Sequence, residues 1–355
     1  MATIDAVESA YETLRTGVGL VDRSEAGKLL LVGPQAREFL DGQVSNAVAE
    51  LAAGSGVYAT LLTNKGRMLG DLRALAVDDA SLLLITERPA LQALFDQTRR
   101  GLIGWQAELH KRTLELGLLS LIGPQADAVA AAAGLPVPGP EEHATVAFPA
   151  AGGATGAAAT TADDDASLGA APPVLTAAVV PPGLEPSAAV VGVVVRTSEG
   201  LDVLPAAADV AAVRAALLGA GAVEVPEAAA EIVRVESGRP RYGIDLDDGV
   251  MPEEAGIVDR AVSFRKGCYV GQETVARLHW KGKPNRHLRG LRLSAPSEPG
   301  TPVLSGDREV GHLASSVTSP HLGPIALAIL RREVSPGDHV TVAGTDAEVV
   351  TTPFA

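Results

Sequence analysis

The run FRKGCYVGQETVAR, from Phe264 to Arg277, holds the one cysteine of the 355 residues, set between a basic pair and two glycines. A thiolate is the reactive form of cysteine, and cations at Arg265 and Lys266 would favour it. Gly267 and Gly271 permit backbone shapes closed to other residues, or let a ligand come close. Gln272 and Glu273 add an amide and a carboxylate. Lys266, Gly267, Cys268, Tyr269, Gly271, Gln272 and Glu273 therefore read as one motif around a candidate catalytic thiol. The competing reading is a buried cysteine in a tight turn. A single thiol excludes an internal disulfide and a multi-cysteine metal site within one chain. It suits a reducing cytoplasm.

Charge singles out the same region. The chain carries 43 acidic and 29 basic residues, net -14, a balance that repels nucleic acid and anionic membrane. Yet Arg260 to Arg292 contains nine Lys or Arg and only one acid, Glu273. This segment is either a local site for an anionic ligand or a solvated basic surface. No signal peptide or membrane-spanning stretch is expected.

The elements around the motif follow from periodicity. Residues 4 to 16 read as an amphipathic helix. LLVGPQA and, some 90 residues later, SLIGPQA each read as strand, Gly-Pro turn and helix, which suggests a duplicated α+β module. Between them Asn64-Lys65-Gly66 marks a hairpin, and RPALQALFDQTRR a helix. Residues 136 to 188 are rich in Ala, Gly, Thr and Pro and read as a largely flexible insertion, with a strand near ATVAF. AVVGVVVRTSEGLDVLP is a strand pair, and the helix through EAAAEIVRVESG stops at Gly238. From Pro284 onward five short strands predict a small barrel or sandwich.

KGCYVGQE resembles the signature of the YgfZ family, folate-binding proteins of iron-sulfur cluster maintenance, which is similar to the glycine-cleavage T-protein (aminomethyltransferase). GPQAREFLDGQVSNAV, LLTNKGRMLGDLR, RVESGRPRYGIDL and GHLASSVTSPHLGPIALAIL resemble further segments of that family. The resemblance implies an α+β fold: two folate-binding modules around a central cavity, plus a C-terminal β-barrel. The corresponding division is 1–135 and 189–283 for the folate-binding region, 136–188 for the insertion and 284–355 for the barrel.

The resemblance also implies tetrahydrofolate as cofactor, including its polyglutamylated forms. Glu236, in the Arg-x-Glu-x-Gly segment, is expected to grip the pterin, whose paired donor edge suits a carboxylate. Tyr242 and Asn46 are expected beside the folate, and Lys266 and Arg277 at its anionic tail. The T-protein hairpin carries two consecutive acids, one needed for aminomethyl transfer; here the pair reads Gly70-Asp71. Asp71 is the remaining catalytic candidate beside Cys268. No metal site is expected, since the seven histidines are scattered. The expected role is a cytoplasmic, folate-dependent accessory protein whose partners are folate and iron-sulfur client proteins, with no nucleic acid or membrane. One alternative is a folate-dependent one-carbon transferase, and another a folate-fold interaction module without catalysis.

Overall fold

The computed structural model describes residues 4–149 and 190–354, so most of the insertion expected at 136–188 lies outside the described residues. Helix α1 (Ile4–Thr16) leads into β1 (Gly19–Asp22), β2 (Gly27–Val32), α2 (Ala36–Gln43), β3 (Ser55–Leu62), β4 (Met68–Ala76) and β5 (Ser81–Thr86). Helix α3 (Leu91–Gly101) is followed by β6 (Glu108–Lys111), β7 (Leu119–Ile122), α4 (Ala126–Ala132) and β8 (Thr145–Pro149). The chain continues with β9 (Val190–Thr197), β10 (Gly200–Leu204), α5 (Val210–Gly219), β11 (Val223–Glu224), α6 (Glu227–Glu236), α7 (Val258–Ala261) and α8 (Gln272–Lys281). Six strands complete it: β12 (Arg286–Leu293), β13 (Pro302–Ser305), β14 (Arg308–Ser319), β15 (Gly323–Arg331), β16 (His339–Val342) and β17 (Thr345–Val350).

The strands form two open sheets, β3-β4-β5-β2-β6 and β11-β1-β7-β10-β9-β8, and one closed barrel, β12-β15-β14-β13-β16-β17. The repeated GPQA segments adopt the same local structure. Gly33 ends β2 with φ +129° and Gly123 ends β7 with φ +127°. A Cβ on Gly33 would meet the Gln106 carbonyl oxygen at 2.4 Å, and one on Gly123 the Gly17 carbonyl oxygen at 2.5 Å. Only glycine fits such a turn. After it, Phe39 N–H donates to Gln35 O and Val129 N–H to Gln125 O, opening α2 and α4 alike.

Strand β2 is apolar on both faces because both are covered. Leu29 and Leu31 pack with Phe39, Leu40 and Leu94 under α2 and α3. The two open sheets meet through Leu75, Leu83 and Ile85 on one side and Leu118, Val193, Val195 and Leu204 on the other. The barrel has its own core, including Leu291, Val303, Leu313 and Val349. Val235 of α6 packs against Leu288, Ile325 and Leu327, which docks the barrel on the α+β region.

Six elements have no counterpart in the sequence reading: β1, β6, β11, β13, α7 and α8. Strand β13 begins at a proline and spans four residues, too short and too broken to signal itself. Helix α8 starts directly after Gly271, a left-handed residue (φ +86°) with no capping side chain, so no start signal marks it.

Candidate functional site

A cavity of about 240 Å³ lies between the two open sheets. Strands β3, β4 and β5 contribute Tyr58, Asp71, Arg73 and Thr86; the β9–β10 turn contributes Thr197 to Glu199; the segment after α6 adds Arg239 and Arg241. The walls are strongly charged, with Arg23, Arg73, Arg234, Arg239, Arg241 and Arg260 facing Glu25, Asp71, Glu87, Glu142, Glu199 and Asp202.

Most of these charges are matched. Arg73 meets Asp202 at 2.5 Å, and Ser120 Oγ donates to the same carboxylate at 2.6 Å. Burial raises the cost of the Asp202 charge, but Arg73 and these bonds outweigh it and hold the carboxyl below its usual range. Arg241 lies 3.3 Å from Glu87, 3.0 Å from Glu227 and 3.4 Å from Glu231. Glu142 is shared by Arg239 (3.2 Å) and Arg260 (3.3 Å). Such partly buried pairs hold geometry at a desolvation cost.

Two carboxylates are different. Asp71 is buried at the cavity wall, and its one side-chain partner is Tyr58, whose Oη donates to it at 2.6 Å. Burial pushes its titration up to about 6, against the opposing effect of the tyrosine bond. Tyr58 in turn is held well above its ordinary range, by burial first and then by Asp71. Glu199 lines the same cavity, and its carboxylate has no hydrogen-bond or ion-pair partner among the described residues. Burial raises its pKa, with Arg23 and Arg239 pulling the other way. His143 also lines the cavity, at φ +71°, with a buried Nδ1 that has no partner. Burial and then Arg73 push it down to about 4, so its imidazole is neutral.

The cysteine motif forms a loop beside this region. Lys266 Nζ donates to the carbonyls of Asp41, Val44 (2.9 Å) and Asn46 (3.1 Å) and pairs with the Asp41 carboxylate at 3.3 Å. Tyr269 is buried among Leu62, Met68, Tyr242 and Val275. Gly271 sits on the β3–β4 hairpin, where a Cβ would meet Thr63 O at 2.6 Å. Between these anchors Gly267 and Cys268 are exposed. Gln272 and Glu273 open α8, where an acid suits the helix dipole.

Comparison with known proteins explains the architecture. Residues 2–135 match the GCVT N-terminal domain, and residues 286–355 match the glycine cleavage T-protein C-terminal barrel domain. The aminomethyltransferase T of the glycine cleavage system from Bartonella henselae superposes with a TM-score of 0.80 at 23% identity, covering 98% of this chain and 89% of that one. The chain has the T-protein fold. An aminomethyltransferase from Mycobacterium leprae is 27% identical over 98% of this chain and 88% of its own length. A putative chloroplastic transferase from Arabidopsis thaliana is 25% identical over 96% of this chain and 72% of its own length.

Within the T-protein fold the Gly70-Asp71 pair can be read physically. Neighbouring strand residues point to opposite faces. Asp71 faces the cavity, whereas a Cβ at Gly70 would meet Ala90 Cβ at 2.7 Å. A side chain at position 70 would therefore point away from the cavity in this chain, whereas Asp71 points into it.

Several residues expected at the folate lie outside the lining of this cavity. Glu236 does not line the cavity: it accepts hydrogen bonds from Tyr11 Oη (2.9 and 3.1 Å) and Ser319 Oγ (2.5 Å), between α1 and the barrel. Arg234, two residues earlier on α6, is the one that faces the cavity, since two helical positions differ by about 200°. Tyr242 is buried in an apolar cluster with Leu246, Val250 and Ile257. Asn46 spends its amide on Tyr58 O (2.9 Å) and Arg260 O (3.0 Å). Lys266 is consumed by α2, and Arg277 is exposed on α8, outside the cavity lining. Cys268 is likewise not a cavity residue. Among the described residues no group of three or more His, Cys, Asp or Glu could hold a metal ion.

The reading missed Glu199, Tyr58, Arg73 and His143. Glu199 sits in a β-turn that reads only as punctuation, and the cavity arginines come from five separate stretches of chain. The one available signal was an acid beside the Gly200 turn.

Proposed function

We propose that this protein binds tetrahydrofolate in the inter-sheet cavity and serves as an accessory protein for the assembly or repair of iron-sulfur enzymes through Cys268. The observation that carries the folate reading is Glu199, a half-buried cavity carboxylate with no hydrogen-bond or ion-pair partner among the described residues. A pterin presents two parallel N–H donors on one edge, and a carboxylate is their natural acceptor. The free volume falls just below the ~300–1,000 Å³ usual for small-molecule sites, which suits the pterin head rather than a whole folate. The remaining residues would divide the work: Glu199 holds the pterin edge, Asp71 with Tyr58 faces the reduced ring nitrogens, and the arginine walls favour the anionic tail. Bound folate would supply one-carbon chemistry at those nitrogens.

The iron-sulfur part rests on the resemblance of the cysteine motif and on the exposure of its thiol. A thiol presented outside the cavity favours a partner's iron over a folate carbon. One cysteine cannot hold a cluster alone, so the other ligands would come from the partner.

Calorimetric titration with tetrahydrofolate tests the cavity. Glu199→Gln should weaken binding about 10- to 100-fold, the loss of a charge-assisted bond pair, and Glu236→Gln should leave it unchanged. The opposite ranking would return the pterin to Glu236. Absence of binding at millimolar folate would leave only an interaction module. For the thiol, cells carrying Cys268→Ala should lose activity of iron-sulfur enzymes; full activity would sink that role. A second reading, a folate-dependent aminomethyl or one-carbon transferase, is favoured by Asp71, which faces the cavity with a pKa near 6 and so suits proton transfer at neutral pH. Failure to form methylene-tetrahydrofolate from an aminomethyl donor would remove it.

A further inference from the structure

Helix α8 presents a surface unlike the rest of this acidic chain. Glu273, Arg277, Trp280 and Lys281 fall within one ~100° arc of the helix and are all exposed. Trp280 is 69% exposed, yet it is not loose. Phe264 stacks on His279 at 4.4 Å, and Trp280 packs edge-on against both, at 5.6 and 4.7 Å. His279 is in turn held by Glu253 at 3.2 Å. The stack joins the cysteine loop to the helix and fixes the indole.

Around it stand Arg265, Arg277, Lys281 and Lys283, all exposed, and none forms an ion pair with any described residue. The cavity arginines Arg73, Arg234, Arg239, Arg241 and Arg260 are, by contrast, all paired with carboxylates. In a chain with 43 acids and 29 bases, four unpaired cations on and immediately flanking α8, two of them on the Trp280 face, are a local inversion of charge. None of these residues lines the cavity, so the surface is separate from the proposed folate site.

We propose that this face docks an acidic protein segment that lays an apolar side chain on Trp280. Charge complementarity sets the sign of the partner, and a pre-positioned tryptophan flanked by Arg277 and Lys281 has the composition of an interface centre. Nucleic acid fits less well. Specific complexes commonly use about six to ten phosphate contacts; four cations fall short, and the net charge of -14 repels a polyanion.

The test uses the full chain with Trp105→Phe, which leaves Trp280 as the sole tryptophan reporter. The probe is a short peptide of Glu and Asp around one central Leu, titrated by fluorescence and calorimetry. The expected result is a saturable blue shift that weakens with added salt. Arg277→Glu/Lys281→Glu should lower affinity at least about tenfold, and Trp280→Ala should lower it further, while tetrahydrofolate monoglutamate binds as in the parent. No binding at millimolar peptide, or binding indifferent to the charge reversals, overturns the proposal. Tighter binding of an oligouridine than of the peptide would reassign the face to RNA. If the reversals weaken only tetrahydrofolate polyglutamate, the face belongs to the folate tail.

Discussion

Replacing Asp71 by Asn should make the protein more stable at neutral pH. Asp71 is buried, with Tyr58 Oη as the one side-chain partner of its carboxylate, and it titrates near 6 instead of its ordinary 3.8. Between those two values the folded chain binds a proton that the unfolded chain has released, so stability falls as pH rises through the window. The fall is about 1.4 kcal/mol per pH unit over about two units, or about 3 kcal/mol, present in full above pH 6. Asn keeps the shape and can still accept the tyrosine bond, but carries no charge to desolvate. Urea unfolding from about pH 4 to about pH 8 should show the two proteins converging at the acid end. The variant should gain up to about 3 kcal/mol at the neutral end. Parallel pH profiles, or a weaker Asn variant at pH 8, would refute the view that Asp71 is held charged against its preference. Such a cost is retained when the ionised group has a task in the cavity.

Gly33→Ala and Gly123→Ala should each destabilise by more than about 1–3 kcal/mol in denaturant unfolding, because the turn demands a left-handed backbone and a carbonyl oxygen fills the Cβ position. Gly42→Ala, in open space within α2, should instead stabilise by about 0.5–1 kcal/mol. Lys266→Met should lower the melting temperature, with a loss of about 2–4 kcal/mol, since it strands the Asp41, Val44 and Asn46 carbonyls; an unchanged melting temperature would mean the lysine is no tether. Arg73→Met should cost about 3–5 kcal/mol at pH 7 by leaving Asp202 buried and unpaired. Part of that loss should be recovered on acidification, which neutralises the stranded carboxylate.

Local grammar made much of the fold legible. Repeated GPQA turns, the Asn64-Lys65-Gly66 hairpin and the helix ending at Gly238 each carry their conformation in a few adjacent residues. Asp71 came from the resemblance to the T-protein hairpin, not from its own spacing. The rest of the cavity is assembled from distant residues: Arg73 meets Asp202 across two sheets, and no spacing along the chain encodes that meeting. Glu236 lies in the expected segment but on the side of α6 that faces α1 and the barrel; a difference of two residues on α6 separates that side from the cavity. Lys266 likewise sits where its sequence context does not point. A lysine in a basic run suggests an anionic ligand, but the end of α2 offers carbonyls within reach and takes the ammonium inside.

That internal lysine has a mechanical meaning. The backbone segment from Arg260 to Lys266 is stapled at one end by the Asn46 amide, which also grips the Tyr58 carbonyl, and at the other by the Lys266 ammonium. Tyr58 carries the hydroxyl that meets Asp71. The exposed thiol, two residues past the second staple, and the cavity acid are thus mounted on one frame. Their separation is set by a few hydrogen bonds within that frame rather than by two independent loops, so what shifts strand β3 shifts the platform of the thiol.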